Sequence, residues 1–267
     1  MVDAKFEEVF IVNKYHTTHQ RSLSNPEQFW ADAAKEIAWI KSPTTVLDAQ
    51  QKPVPRWFVG ATLNTCYNCL DRHVENGRGD QAALIYDSPV TGVKKTYSYR
   101  ELTEKVAKFA GALVAKGVGK GDRVIVYMPM IPEAAIAILA CARIGAIHSV
   151  VFGGFAAKEL ATRIDDAQPK VIVSASCGIE PSGIVKYKPL LDEAIALAEH
   201  SVDCCIIKAR IEQATTLVAG RDFDWDELAD QAHAADCVTV EATDPLYILY
   251  TSGTCLLYTS PSPRDRG

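Results

Sequence analysis

Two short loops in this sequence carry residue types suited to holding an anion. The first, Tyr250-Thr-Ser-Gly-Thr254, follows the apolar run at 246–250. Its hydroxyls and glycine offer several O–H and N–H donors in a small space. A phosphate loop is expected to continue with more glycine and a lysine as a point charge, whereas Cys255-Leu-Leu follows here. On the residues alone, phosphate binding and an ordinary Ser/Thr turn stand level. The second loop is Val151-Phe-Gly-Gly-Phe155. Its two glycines let the backbone approach a ligand or take positive φ. A Gly pair after a strand is more often a tight turn than a cofactor site. The dinucleotide fingerprint G-x-G-x-x-G is absent, which disfavours an NAD-dependent oxidoreductase.

Cysteine chemistry is the third possibility. Eight cysteines are present, and Cys66-x-x-Cys69 has metal or redox spacing. A structural zinc site needs a second ligand pair nearby, and none follows; His73 alone does not supply it. Leu63, Cys66, Leu70 and Val74 recur at helical spacing, which makes Cys66 a small core residue on a helix face. Residues 56–62 do not read as the strand that a thioredoxin-like motif requires. The expectation is reduced thiols and no metal.

The elements that position these loops alternate regularly. Strands are expected at 123–127, 146–151, 170–174, 204–207 and 246–250. Helices are expected at 132–144, 157–167 and 189–199 and around 225–231, with Gly145 as a stop. Near-continuous apolar strands separated by helices indicate an α/β fold with a mostly parallel sheet covered by helices on both faces. In such a sheet ligands bind outside the carboxyl ends of the strands, where both loops fall. Before it, 82–86 and 95–99 read as a hairpin, and Ser98-x-x-Glu101 opens a helix that ends at Gly117. The first quarter reads as a helical, irregular cap. Ser24-Asn-Pro-Glu27 has capping-box spacing, Phe29, Trp30, Ala33, Ile37 and Ile40 form an apolar stripe, and Trp57-Phe58 form an aromatic plug on a proline-rich loop.

Composition narrows the function classes. The 267 residues include 28 basic and 33 acidic side chains, a formal charge of −5. That balance argues against nucleic acid or an anionic membrane as partner. No run approaches the roughly 20 apolar residues of a membrane span; the nearest, 124–142, is broken by Pro129, Pro132 and Glu133. The start shows no secretory pattern, so a cytoplasmic protein is expected. Residues 255–267 lack periodicity and carry Pro261 and Pro263, and are expected to be a non-native tail outside the fold.

Several segments carry a family resemblance. Tyr247-Ile-Leu-Tyr-Thr-Ser-Gly-Thr254 resembles the opening of the phosphate loop of AMP-forming acyl-CoA synthetases, members of the adenylate-forming superfamily. Gly121-Asp-Arg-Val124, Tyr127-Met-Pro-Met-Ile-Pro-Glu-Ala134, the run from Leu139 through Gly-Gly-Phe155, and Arg163-Ile-Asp-Asp-Ala167 are similar to its short-chain branch. Tyr86-Asp-Ser-Pro-Val-Thr-Gly92, Ser174-Ala-Ser-Cys-Gly-Ile-Glu-Pro181 and Tyr187-Lys-Pro-Leu-Leu-Asp-Glu-Ala194 look most like the propionate-activating ligases, with the acetate-activating ones second.

The resemblance, over about residues 20–254, implies a cap at 20–80 and the first part of an AMP-binding domain at 81–254. It implies a ligase that uses ATP, CoA and Mg2+ on a short-chain carboxylate, propionate or acetate. Thr251, Ser252, Gly253 and Thr254 would bind the ATP phosphates, and Gly153, Gly154 and Phe155 would border the CoA channel. The family's CoA-contacting arginines are missing from 178–186. The loop lysine, magnesium ligands, acyl pocket and catalytic lysine would follow Thr254, so no catalytic residue and no metal ligand is expected in this stretch. A non-catalytic nucleotide-binding module is the competing expectation.

Overall fold

A computed structural model describes residues 4–50, 53–154 and 156–250, with residues 4–13 described as helical backbone only. The chain divides into two compact units, residues 1–64 with 239–244, and residues 65–238 with 245–267.

The first unit begins with α1 (Ala4–Ser24) and α2 (Pro26–Ala33), followed by β1 (Thr45–Asp48), β2 (Arg56–Val59) and β3 (Thr62–Leu63). The cap of α2 falls one residue later than the spacing predicts. The Gln28 N–H donates to the Asn25 side chain at 3.2 Å, Pro26 occupies the first turn, and the Ser24 hydroxyl turns back to the Arg21 carbonyl. Pro26 fixes the break, because the residue before a proline is driven out of the α region. The aromatic plug lies in a strand and not in a loop. Trp57 and Phe58 belong to β2, which pairs antiparallel with β1, and Trp30 meets Trp57 edge-on at 5.9 Å. Trp57 and Val59 are residue types that favour a strand, while Phe58 between them departs from the pleat at φ 51°.

The second unit opens with α3 (Thr65–Cys69) and α4 (Asp71–His73), then the hairpin β4 (Ala82–Ser88) and β5 (Val93–Ser98). The helix expected across Cys66, Leu70 and Val74 is broken at Leu70, whose φ and ψ are −128° and −69°. Cys66 and Leu70 are nonetheless core residues. Next come α5 (Tyr99–Ala115), β6 (Arg123–Met128), α6 (Pro132–Arg143), β7 (Ile147–Phe152), α7 (Ala157–Ala167) and β8 (Val171–Ala175). The hairpin β9 (Cys177–Glu180) and β10 (Gly183–Lys186) follows, then α8 (Tyr187–Leu197), β11 (Cys204–Lys208), β12 (Asp222–Asp224) and α9 (Trp225–Gln231). The described chain ends with β13 (Val240–Glu241), which pairs with β3 in the first unit, and β14 (Tyr247–Ile248).

Six strands form one parallel sheet in the order β12-β11-β8-β6-β7-β14. Residues of α5, α6 and α9 share one apolar cluster; those of α7 and α8 share a second. Val124 and Val126 of β6 belong to the first cluster and Ile125 and Tyr127 to the second, as alternation along a strand requires. The sheet is therefore covered on both faces. Ser98 and Glu101 form the expected capping box on α5. Gly117 (φ 80°) and Gly145 (φ 71°) end α5 and α6 in the left-handed region that favours glycine. No helix among the described residues is long and apolar enough to cross a membrane.

Candidate active site

In the parallel sheet the chain steps from β6 outward to β7, then crosses back to β8 on the other side of β6. This reversal is where open α/β sheets open a crevice, beyond the carboxyl ends of the strands. The loops that leave this rim are 129–131 after β6, 153–154 after β7, 176 after β8, 209–210 after β11, and 249–250 after β14.

Gly153 and Gly154 stand at the end of β7, on the rim. They differ sharply in surroundings. Gly153 is buried, and a Cβ there would lie 1.9 Å from the Tyr187 hydroxyl. The Tyr127 hydroxyl donates to the Gly153 carbonyl at 3.3 Å, and the Tyr127 and Tyr187 rings stack at 5.0 Å. Burial pushes the Tyr127 phenol up to about 12, with Tyr187 a secondary cause; burial likewise pushes Tyr187 up to about 12. Both phenols are therefore protonated donors at neutral pH. Gly154 is exposed, and a Cβ there would first meet the Phe152 ring at 2.7 Å. Glycine at 153 is thus required by close approach to Tyr187, not by a positive φ.

β14 pairs with β7 in parallel register, Tyr247 opposite His148 and Ile248 opposite Ser149. This brings residues 247–250 to the strand that carries the Gly-Gly loop. Tyr250 anchors the approach, donating its hydroxyl to Asp166 at 2.5 Å with Arg163 over its ring. Burial and that acceptor push the Tyr250 phenol up to about 12. His148 beneath is held at about 4 by burial, so it is neutral. Thr251, Ser252, Gly253 and Thr254, and Phe155 of the other loop, lie outside the described residues.

The rim also holds cations. No arginine lies in 178–186, but Arg210, two residues past β11, reaches β9. Its Nη1 donates to the Cys177 carbonyl at 3.2 Å, its backbone N–H donates to the Ser176 hydroxyl at 2.9 Å, and Glu212 lies 3.5 Å away. Arg210 lines a cleft of about 240 Å³ with Ile179, Met130 and the β4–β5 hairpin. Exposed Lys186 borders an open hollow of about 320 Å³ with Ser176 and Thr215. Sequence reading missed Tyr127, Tyr187 and Arg210, since each acts on a residue far away in the chain. The nearest sequence signal was an inward-facing Tyr at the end of the strand that precedes the reversal.

The CxxC cysteines do not converge. Cys66 is fully buried, Cys69 is exposed, and the thiol near Cys66 belongs to Cys237.

The description "AMP-binding enzyme" matches residues 70–255. The chain belongs to the AMP-binding enzyme family. The 15–69 segment matches "Acetyl-coenzyme A synthetase N-terminus". Among relatives of this family, mitochondrial acyl-CoA synthetase short-chain family member 3 of Mus musculus is 54% identical over 90% of this chain and 36% of its own length. Propionate–CoA ligase of Salmonella typhimurium is 46% identical over 88% of this chain and 38% of its own. Acetyl-coenzyme A synthetase of Methylobacterium radiotolerans is 44% identical over 90% and 38%. Acetoacetyl-CoA synthetase from Streptomyces lividans superposes with a TM-score of 0.79 at 26% identity, over 88% of this chain and 36% of that one. The chain thus spans little more than a third of the length of these relatives, all named as CoA synthetases or CoA ligases.

Proposed function

We propose that this chain is the amino-terminal part of an AMP-forming short-chain acyl-CoA synthetase, with propionate its carboxylate ahead of acetate. The family match over 70–255, which runs into the Thr251–Thr254 loop, carries this reading. In the proposed reaction a carboxylate oxygen attacks the α-phosphorus of ATP, giving acyl-adenylate and diphosphate. The CoA sulfur then attacks the acyl carbon and AMP leaves. Holding the phosphates while charge develops on the diphosphate is the main task. Thr251, Ser252, Gly253 and Thr254 donate hydrogen bonds to those oxygens. Magnesium, when bound, neutralises phosphate charge from ligands further along the protein. Gly153, Gly154 and Phe155 border the pantetheine arm of CoA, with Tyr127 and Tyr187 holding Gly153 in place. Arg210 and Lys186 supply positive charge for CoA phosphates that 178–186 lacks in arginine.

In this reading residues 20–80 form the cap and 81–254 the first part of the AMP-binding domain, with 255–267 outside the fold. Propionate is placed first on the segments at 86–92, 174–181 and 187–194. The cytoplasm is the proposed compartment, on the reading of the cysteines as reduced thiols. Relatives named mitochondrial make that organelle the alternative, which cell fractionation separates.

ATP–pyrophosphate exchange tests the proposal, using the protein in which this segment runs on to the length of its relatives. Exchange is expected with propionate above acetate and butyrate, falling on the order of 10²-fold in Ser252→Ala, the cost of one preorganised donor. Nucleotide binding without exchange for any carboxylate would replace the ligase by a non-catalytic binding module. Acetate preferred over propionate would move the protein to the acetate-activating group.

A further inference from the structure

Residues 232–238 cross the helices of the first apolar cluster without helix or strand of their own. The Ala235 N–H donates to the Ala107 carbonyl at 2.9 Å, and the Val238 N–H donates to the Arg143 carbonyl at 2.9 Å. A Cβ at Gly111 would lie 1.7 Å from the His233 carbonyl oxygen, so the strap runs directly on α5. At its end Cys237, half-exposed, meets a buried polar pocket. The sulfurs of Cys66 and Cys237 and a carboxylate oxygen of Asp71 all lie within 4.8 Å of one another. Arg143 completes the group, its Nη1 2.8 Å from Asp71 Oδ2 and 3.7 Å from Cys66 Sγ.

We propose that Cys66 and Cys237 are a redox-sensitive thiol pair, which a hydroperoxide converts to a disulfide that ties the strap to α3. The atoms are also of metal-ligand type, but Arg143 argues against a cation. Its guanidinium already neutralises Asp71 and faces Cys66, so a metal ion would sit against a fixed positive charge. The same charge suits thiol chemistry, because it favours thiolate at Cys66. Hydrogen bonding from Cys237 lowers the Cys66 thiol, burial opposes this, and Arg143 lowers it further. Cys237 is pushed up, first by its hydrogen bond to Cys66 and then by burial.

The division of labour follows from exposure. Cys237 is the sulfur an oxidant reaches. Its Sγ also lies 3.7 Å from Asp71 Oδ2, so its proton can pass to that carboxylate as the sulfur attacks a peroxide oxygen. The O–O bond breaks, and the departing hydroxide takes that proton, leaving Cys237 as a sulfenic acid and one water. The Cys66 thiolate, held by Arg143, then attacks the Cys237 sulfur. An S–S bond forms, the S–O bond breaks, and hydroxide leaves and takes up the proton that Cys66 had lost. In sum, two thiols and one hydrogen peroxide give one disulfide and two waters, the sulfurs oxidised and the peroxide reduced. For the bond to form the sulfurs must close to about 2.05 Å.

The test treats the reduced chain with stoichiometric hydrogen peroxide at about pH 8, near an ordinary thiol pKa, and maps unreduced peptides by mass. A Cys66–Cys237 linked peptide is expected, about 2 Da lighter than the two thiol peptides together, and reversed by dithiothreitol. It should vanish in Cys66→Ser and in Cys237→Ser and persist in Cys69→Ser. Should Cys66→Ser fail to fold, Cys237→Ser at the half-exposed position gives the same readout. Circular dichroism establishes that each variant is folded. Sulfinic acid at Cys237 with no linked peptide would overturn the proposal. So would linkage only among other cysteines, or about one equivalent of zinc retained on the pair and shielding both thiols.

Discussion

The two faces of the parallel sheet hold together by different means. On the face covered by α5, α6 and α9, stability is spread over many apolar contacts. Eight residues of α5 alone are buried, and Phe109 stacks on Trp225. A buried ion pair on that face sits at the last turn of α6, where Arg143 has the Asp71 carboxylate and also the Ala235 carbonyl as acceptors. On the face covered by α7 and α8, charge is concentrated in the interior. The Asp222 side chain is fully buried between Lys188 Nζ at 2.9 Å and Arg221 Nε at 2.7 Å, and Asp192 bridges the same two cations. Lys188 and Tyr187 are neighbours at the start of α8. The ion network and the phenol that supports the Gly-Gly loop therefore share one helix turn. Distributed apolar contacts fail gradually, whereas a buried ion network fails when one member is removed.

The largest effect should come from that network. Asp222→Ala leaves Lys188 and Arg221 beside a buried void with Asp192 as their remaining carboxylate, and breaking a buried pair costs up to about 3–5 kcal/mol. Urea denaturation of the chain and its variant measures it. A loss below about 1 kcal/mol would mean that Asp192 alone satisfies both cations. The same carboxylate sets an acid limit. Burial alone would raise the Asp222 pKa, but Arg221, the Val218 N–H and Lys188 outweigh it and hold the group below its usual range. A folded-state pKa below the unfolded one stabilises fully above the unfolded value, about 3.9, and that contribution fades as pH falls through the folded pKa. The acid limb of the melting temperature should therefore flatten in Asp222→Ala.

How much of this was legible beforehand depends on sequence range. The strands at 123–127 and 204–207 and the helix at 157–167 announce themselves, because their apolar patterns are local. The β9–β10 hairpin does not. Its four-residue strands have no long alternation, and they pair across Pro181 and Ser182, with Gly183 opening the second strand at φ 133°. The expected strand at 246–250 shortens to Tyr247–Ile248, since only those two residues pair with β7. For the candidate site, the Gly-Gly loop could be read as a place for close backbone approach. That the approaching group is Tyr187, and that Tyr127 holds the loop carbonyl, follows from β6, β7 and α8 meeting at the rim, which no local pattern encodes. Cys237 as the neighbour of Cys66 was hidden for the same reason.

The two loop glycines give the next smaller effect and test whether the α7–α8 face controls the rim. Gly153→Ala drives a Cβ into the Tyr187 phenol, which is itself buried and stacked on Tyr127. Overpacking of this kind costs about 1–3 kcal/mol. Gly154→Ala meets the exposed Phe152 ring at 2.7 Å, which can swing into solvent, so the change should stay within about 0.5 kcal/mol. Thermal melts of both variants make the comparison. Equal losses would mean that Tyr187 yields, and that the phenol does not define the loop.

The smallest expected effect lies on the other face and checks that its stability is distributed. Ser98 caps α5, its hydroxyl accepting from the Glu101 N–H at 3.2 Å while the Glu101 carboxylate accepts from the Ser98 N–H at 2.8 Å. Ser98→Ala removes the first of these bonds and leaves the buried stripe of α5 intact. Loss of such a cap costs about 1 kcal/mol, well under the cost expected at Asp222. The backbone and hydroxyl of Ser98 hold the Glu101 carboxyl below its usual range. The reciprocal bond is therefore present above the ordinary carboxylate pKa and lost as pH falls through the depressed value. Ser98→Ala should raise the Glu101 pKa back toward normal, which NMR titration of the side-chain carboxyl reads directly. If Ser98→Ala instead destabilised the chain as much as Asp222→Ala, the α5 face would depend on one contact, and the contrast between the two faces would collapse.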